Sequence, residues 1–138
     1  MITVNRRYRF SASHKLHSNL FSAEKNRELF GKCNNPFGHG HNYEIEVSVR
    51  GEIDPTSGRV VDLARLDRLV DETIIRRYDH RNLNQELPEF ETEIPTTENL
   101  ARHIERRLAE AWPSTFHPAS LQRIRIFETE RNIIQLGS

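Results

Sequence analysis

Tyr43-Glu44-Ile45-Glu46-Val47-Ser48-Val49-Arg50 alternates without a fault between apolar and polar residues. A period of two places Tyr43, Ile45, Val47 and Val49 on one side of an extended backbone and Glu44, Glu46, Ser48 and Arg50 on the other. This is the pattern of a strand with one face on a core. Residues 2–10 repeat it, with Ile2, Val4, Tyr8 and Phe10 on one side. After residue 50 the run Asp54-Pro55-Thr56-Ser57-Gly58 is turn chemistry, so the strand is expected to fold back in a hairpin.

Two one-sided strands need a layer over their apolar faces, and two segments can supply it. Asp62 can cap a helix in which Leu63, Leu66, Leu69, Val70 and Ile74 recur at helical spacing. Thr96 can cap a second, with Glu98 in its first turn, a stripe of Leu100, Ile104, Leu108 and Ala111, and Pro113 to stop it. Strand-like runs at 121–128 and 132–136, joined by Thr129-Glu130-Arg131, close the chain. The order predicts an α+β fold with an antiparallel sheet and both helices on one face. The stretches 11–42 and 77–95 read as long loops, and loops of that length in a small fold usually carry function.

The 138 residues suit a single domain spanning 1–138. With 36% apolar residues the chain buries a limited core, so contacts between copies are expected to add to it. Twenty basic and twenty acidic side chains cancel, which argues against a general nucleic-acid binder. Cys33 is the only cysteine, which rules out an internal disulfide and suits a reducing compartment. No signal-peptide core and no membrane-length apolar run are visible, so the expectation is a cytoplasmic protein that does not engage a membrane.

The first long loop carries His14 and then Gly38-His39-Gly40-His41. Residues two apart on an extended backbone share a side, so His39 and His41 can face one ion, with Gly40 letting the backbone pass beside it. If strands 2–10 and 43–50 are neighbours, His14 meets them at the sheet end. An HxH pair alone is a weak signal; a third imidazole makes a set that suits zinc with an open fourth position. Cys33 could be a small buried residue, but its polar setting, Gly31-Lys32-Cys33-Asn34-Asn35, points to a thiolate stabilised by Lys32 or by a metal. Asp79 next to His80 can orient the ring as an acid or base, or can cap a turn. Glu128, at the end of a strand-like run, can accept from a guanidine-like edge or be an ordinary solvated glutamate.

FSASHKL (10–16), LFGKCNNPFGHGHNYEIEV (29–47), GEIDPTSGRVVDL (51–63), YDHRNLN (78–84), PTTENLA (95–101) and FETERNII (127–134) together resemble the 6-pyruvoyltetrahydropterin synthase family through nearly the whole chain. The resemblance implies the T-fold: a four-stranded antiparallel sheet with two helices on one face, closing between subunits into β-barrels and assembling as a homohexamer with active sites at subunit interfaces. It implies Zn2+ held by His14, His39 and His41. Cys33 takes the position of the base, and Asp79 with His80 that of a proton relay reaching in from a neighbouring subunit. Glu128 matches the pterin anchor, with Thr96, Thr97 and Glu98 lining the same pocket. The implied reaction converts 7,8-dihydroneopterin triphosphate to 6-pyruvoyltetrahydropterin with loss of triphosphate. Lys15, Arg27 and Lys32 are candidates for the phosphate charge.

An alternative within the resemblance is the queuosine-pathway branch, 6-carboxytetrahydropterin synthase, which acts on the same substrate and releases acetaldehyde. That branch usually has a shorter segment between its cysteine and HGH; here Asn34 to Gly38 intervene, as in the pyruvoyl-forming branch. An alternative of another class is a non-catalytic zinc- and pterin-binding protein, against which every expected functional position is filled.

Overall fold

In a computed structural model describing residues 1–138, β1 (Ile2–His14) and β2 (His39–Gly51) pair antiparallel from Ile2 opposite Gly51 to His14 opposite His39. Both strands run further toward the histidines than their alternation indicates. Ser11, Ser13, Gly40 and Asn42 lack an apolar rhythm, yet they pair through the backbone, and the Ser11 hydroxyl adds a hydrogen bond to Asn42 Oδ1 (2.6 Å).

A short helix α1 (Ala23–Phe30) lies between these strands. The helix capped by Asp62 is α2 (Leu63–Val70), which passes through a π turn at Asp71–Ile75 into α3 (Arg76–Tyr78). A two-residue strand β3 (Arg81–Asn82) and a one-turn helix α4 (Leu83–Glu86) follow, and then the long α5 (Thr97–Ala111). The chain ends in the hairpin of β4 (Ser120–Phe127) and β5 (Ile133–Gly137).

The sheet has five strands in the order β3-β1-β2-β4-β5. The strand beyond the expected four is β3, which lies parallel to β1 at Ala12 and Ser13 and is too short to leave a periodic signature. The sheet is open within one chain. The expected hairpin after β2 does not form. Its turn does, with Gly58 N–H donating to Asp54 C=O (2.7 Å), but it closes a single bridge between Asp54 and Arg59. The reason is topological: β1 and β4 already occupy both edges of β2.

The helices cover one face. Tyr43, Ile45 and Val47 of β2 and Ile124 and Ile126 of β4 pack against Leu66, Val70 and Ile74 from the first helix and Leu100, Ile104 and Leu108 from α5, all essentially without solvent exposure. Each such side chain contributes about 1.5–3 kcal/mol by leaving water. The buried stripe of α5 includes Ala101; Ala111, expected in it, is the last helical residue and is exposed. The other face is polar yet partly sealed. Glu46 is buried beneath Arg7 (3.1 Å), Arg125 (3.8 Å) and Arg123 (3.9 Å), and the guanidiniums of Arg7 and Arg125 lie over the Phe127 ring. No helix is long and apolar enough to cross a membrane.

Candidate metal centre and its thiol

The core faces of β1 and β2 end in imidazoles. His14 continues the inward series Tyr8, Phe10, Ala12; His41 and His39 continue the series from Tyr43. The rings of His14 and His41 meet edge to face at 4.8 Å between centroids, and those of His39 and His41 at 4.6 Å. The Nε2 atoms of His14 and His41 are 3.1 Å apart. Glu128 Oε1 comes within 3.3 Å of His41 Nε2, and Cys33 Sγ within 3.9 Å. One ligand atom from each of His14, Cys33, His41 and Glu128 lies within 4.8 Å of all the others, a grouping able to hold a metal ion. His39, expected to be a ligand, stands beside this set through its ring contact with His41 and is not one of its members. Glu128, expected at a pterin edge, is a member. The register of β4 on β2, with Phe127 opposite Glu44, carries the next residue inward.

Burial and the neighbouring His41 push His14 down to about 4, and burial likewise lowers His41 despite the nearby Glu128 carboxylate. Both rings are therefore neutral near pH 7. The Pro95 carbonyl can only accept, so His14 Nδ1 donates to it (2.9 Å), and His14 Nε2 is left as a lone pair directed at the cluster. Two imidazoles, a carboxylate and a sulfur converge with more lone pairs than protons. A cation satisfies such a set, and the donors suit zinc.

Of the two sources of positive charge expected to act on the thiol, Lys32 supplies none. Burial and the Glu128 charge raise the Cys33 pKa, and Lys32 is exposed and plays no part in the shift. In the protein alone Cys33 is a thiol, and positive charge within the cluster is what would turn it into a thiolate.

The loop that delivers Cys33 is stitched by asparagines. Leu16 N–H donates to Cys33 C=O and Asn34 Nδ2 donates to Leu16 C=O, both at 2.7 Å, so the thiol's neighbours are tied two residues beyond His14. Asn84 exchanges two hydrogen bonds with the Lys15 backbone, and the fully buried Asn26 accepts from Ser18 N–H and donates to the carbonyls of Ser18, Phe21 and Ser22. An amide side chain carries a donor and an acceptor and so replaces a backbone partner. Sequence reasoning missed all three, although asparagines crowding the His14 and Cys33 segments were the available signal. Gly38 is the close point: it has φ +79°, and a Cβ there would sit 2.8 Å from the His14 carbonyl oxygen. Gly40, expected to be that point, has open space around it.

Asp79 and His80 form the expected pair, Nδ1 to Oδ1 at 3.3 Å, but at the outer rim of β1. Ser11 N–H donates to Asp79 Oδ1 (2.9 Å) and His80 N–H to Ser11 C=O (2.6 Å). His80 adopts φ +59°, and its side chain is 77% exposed. The pair makes no hydrogen bond to the donor set of its own chain.

Thr96 caps α5 by accepting from Asn99 N–H (3.2 Å). Thr97 is buried with its hydroxyl unpartnered, and Glu98 is exposed. The Pro95 carbonyl on His14 places this helix start beside the cluster. Arg27 and Lys32 are exposed, and neither they nor Lys15 forms an ion pair.

A sheet covered on one face by helices, open at its edges and ending in such a donor set is the T-fold arrangement. The model of the family described as 6-pyruvoyl tetrahydropterin synthase matches residues 3–137, and the chain belongs to that family, one of lyases. The 6-pyruvoyl tetrahydrobiopterin synthase of Poecilia reticulata is 47% identical over 131 residues, covering 95% of this chain and 86% of its own. The Homo sapiens protein of the same name is 46% identical over 131 residues, covering 95% and 88%. The structure of Caenorhabditis elegans 6-pyruvoyl tetrahydropterin synthase superposes with a TM-score of 0.87 at 40% identity, covering 99% of this chain and 95% of that one.

Proposed function

We propose that the chain is a single-domain, zinc-dependent lyase that converts 7,8-dihydroneopterin triphosphate to 6-pyruvoyltetrahydropterin with elimination of triphosphate, working as a cytoplasmic homohexamer. The observation that carries this reading is the convergence of His14, His41, Cys33 and Glu128 on one point beside the start of α5. His14 and His41 would hold zinc, and His39, which stands outside the tight grouping but with its ring 4.6 Å from that of His41, is proposed as the third ligand, with Cys33 and Glu128 on the remaining side. When bound, zinc supplies Lewis acidity to the hydroxyl-bearing carbons of the substrate side chain and positive charge to the thiol.

Cys33 acts as the base that removes a proton from the first side-chain carbon. His80, oriented by Asp79, returns a proton further along the chain, and its exposed position at the sheet rim supports delivery to a neighbouring subunit's site. The oxygen–carbon bond to triphosphate breaks as the double bond shifts, and oxidation of the side chain is balanced by reduction of the ring, so no redox cofactor takes part. Glu128 accepts from the amino and ring N–H groups of the pterin edge. Thr97, buried at the start of α5, and the neighbouring Thr96 and Glu98 complete that pocket.

Incubating zinc-loaded protein with 7,8-dihydroneopterin triphosphate and weighing the products tests the reading. A pyruvoyl pterin plus triphosphate is expected, with loss of activity on chelation and recovery with zinc. Carboxypterin plus acetaldehyde would assign the queuosine-branch reaction instead, against the five residues between Cys33 and His39. Bound pterin with no triphosphate released would mean a binding protein.

A second role for Glu128 has its own support in the 3.3 Å approach to His41. Glu128→Gln is expected to weaken pterin binding by about 1–3 kcal/mol with zinc retained. Lost zinc and unchanged pterin affinity in equilibrium dialysis would make Glu128 a metal ligand.

A further inference from the structure

We propose that Asn99 is a positioning residue for His14, acting through the bend at Ile94-Pro95-Thr96. The inference rests on His14 being a metal ligand and adds what aims it. Asn99 Nδ2 donates to the Ile94 carbonyl at 2.8 Å, and the Thr96 N–H donates to the same oxygen at 2.8 Å. Two donors on one carbonyl fix the orientation of the Ile94–Pro95 peptide. The next carbonyl along, that of Pro95, is the one that receives His14 Nδ1–H at 2.9 Å. Proline has no N–H and a fixed φ, so the segment has little freedom once Ile94 is held.

Packing against His41 confines the His14 ring, but the proton on its Nδ1 is fixed by hydrogen bonding, and there the Pro95 carbonyl is the near partner. Tyr43 Oη, at 3.4 Å from the same Nδ1, is a distant second partner. If the Pro95 carbonyl turns away, the proton is free to move to Nε2, and the lone pair then points away from the cluster. Outer partners of a liganding histidine fix its tautomer in this way. Asn99 itself touches none of the donor atoms, so its effect reaches the site only through the bend. It is the third residue of α5, where a negative side chain is favourable to the helix.

Asn99→Asp therefore separates the two roles. It keeps the size and favours the helix start, but it removes the amide donor and sets an oxygen against the Ile94 carbonyl. Zinc affinity, read by competition with a chromogenic chelator, is expected to fall about tenfold, the low end of the range for an outer partner because Asn99 acts one step removed. The visible spectrum of the cobalt-substituted protein is expected to shift, with the thermal midpoint little changed. Asn99→Ala, which deletes the donor without adding charge, should give the same affinity loss and guards against a folding defect in the aspartate variant. His14→Ala is the control for the reading underneath. Full zinc affinity in both Asn99 variants, with His14→Ala stripped of zinc, overturns the role of Asn99. Zinc retained by His14→Ala overturns His14 as a ligand.

Discussion

The two long connections of this chain deliver their reactive groups to opposite addresses. The one between β1 and β2 folds back on its own sheet end, and Asn26, Asn34 and Asn84 tie it so that Cys33 Sγ lies 3.9 Å from His41. The one after α3 turns outward instead, and its Asp79–His80 pair is fastened to the backbone of Ser11 on the rim of β1. The outward loop is no less firmly built. Glu89 beneath it accepts from Arg77, Tyr78 and Arg107 while almost wholly buried. Its exposed imidazole is therefore a held position and not slack. The difference teaches that one chain gathers a donor set and a thiol by itself, while its Asp79–His80 pair faces outward beside the edge strand β3.

The largest expected effect breaks the inward half. Cys33→Ala should lower kcat by about a thousandfold or more while zinc and pterin remain bound, in steady-state kinetics with metal analysis. Zinc lost with the thiol would make Cys33 a ligand of the resting protein. Next comes the outward half: His80→Ala should cost about a hundredfold in kcat. Co-refolding it with Cys33→Ala should then restore a measurable fraction of the activity, because mixed assemblies pair an intact thiol with an intact imidazole. No recovery in the mixture would place both groups in the site of a single chain and erase the contrast.

The smallest effect concerns what holds the outward loop. Burial alone would raise the Glu89 carboxyl, but the hydrogen bonds from Arg77 and Tyr78 outweigh it and hold the pKa down at about 2. An acid depressed in the folded state stabilises it fully above the unfolded pKa. That stabilisation fades as pH falls from about 4.5, the ordinary value, to about 2. Glu89→Gln should lose on the order of 2 kcal/mol at pH 7 in urea unfolding and show a shallower acid slope. An unchanged slope would mean that the cluster carries no net stability.

What could be read from the residues follows from how local the signal was. Alternation in 43–50 and the helical spacing of Leu66, Val70, Ile74, Leu100, Ile104 and Leu108 marked the core, because burial leaves a periodic trace. The strand ends were illegible because Ser11, Ser13, Gly40 and Asn42 carry no apolar alternation and pair through backbone and polar contacts. His14 and His41 could be brought together from the sequence, since β1 and β2 are neighbours, whereas the shared side of 39 and 41 brings His39 only to ring contact with His41 and not into the donor set. The entry of Glu128 into the donor set depends on the register of β4 against β2, which no local pattern encodes. The exposure of Lys32 and the direction of the thiol shift likewise depend on how the loop lies after it closes.

Gly38 sets a rule for anyone who would shorten the segment between Cys33 and His39. A shorter thiol segment can be spliced in only by trimming between Asn34 and Phe37, where the chain is largely open to solvent and Phe37 protrudes. The cut must stop before Gly38, because any bulkier graft there would collide with the carbonyl of His14 and pry the thiol loop from the strand it serves.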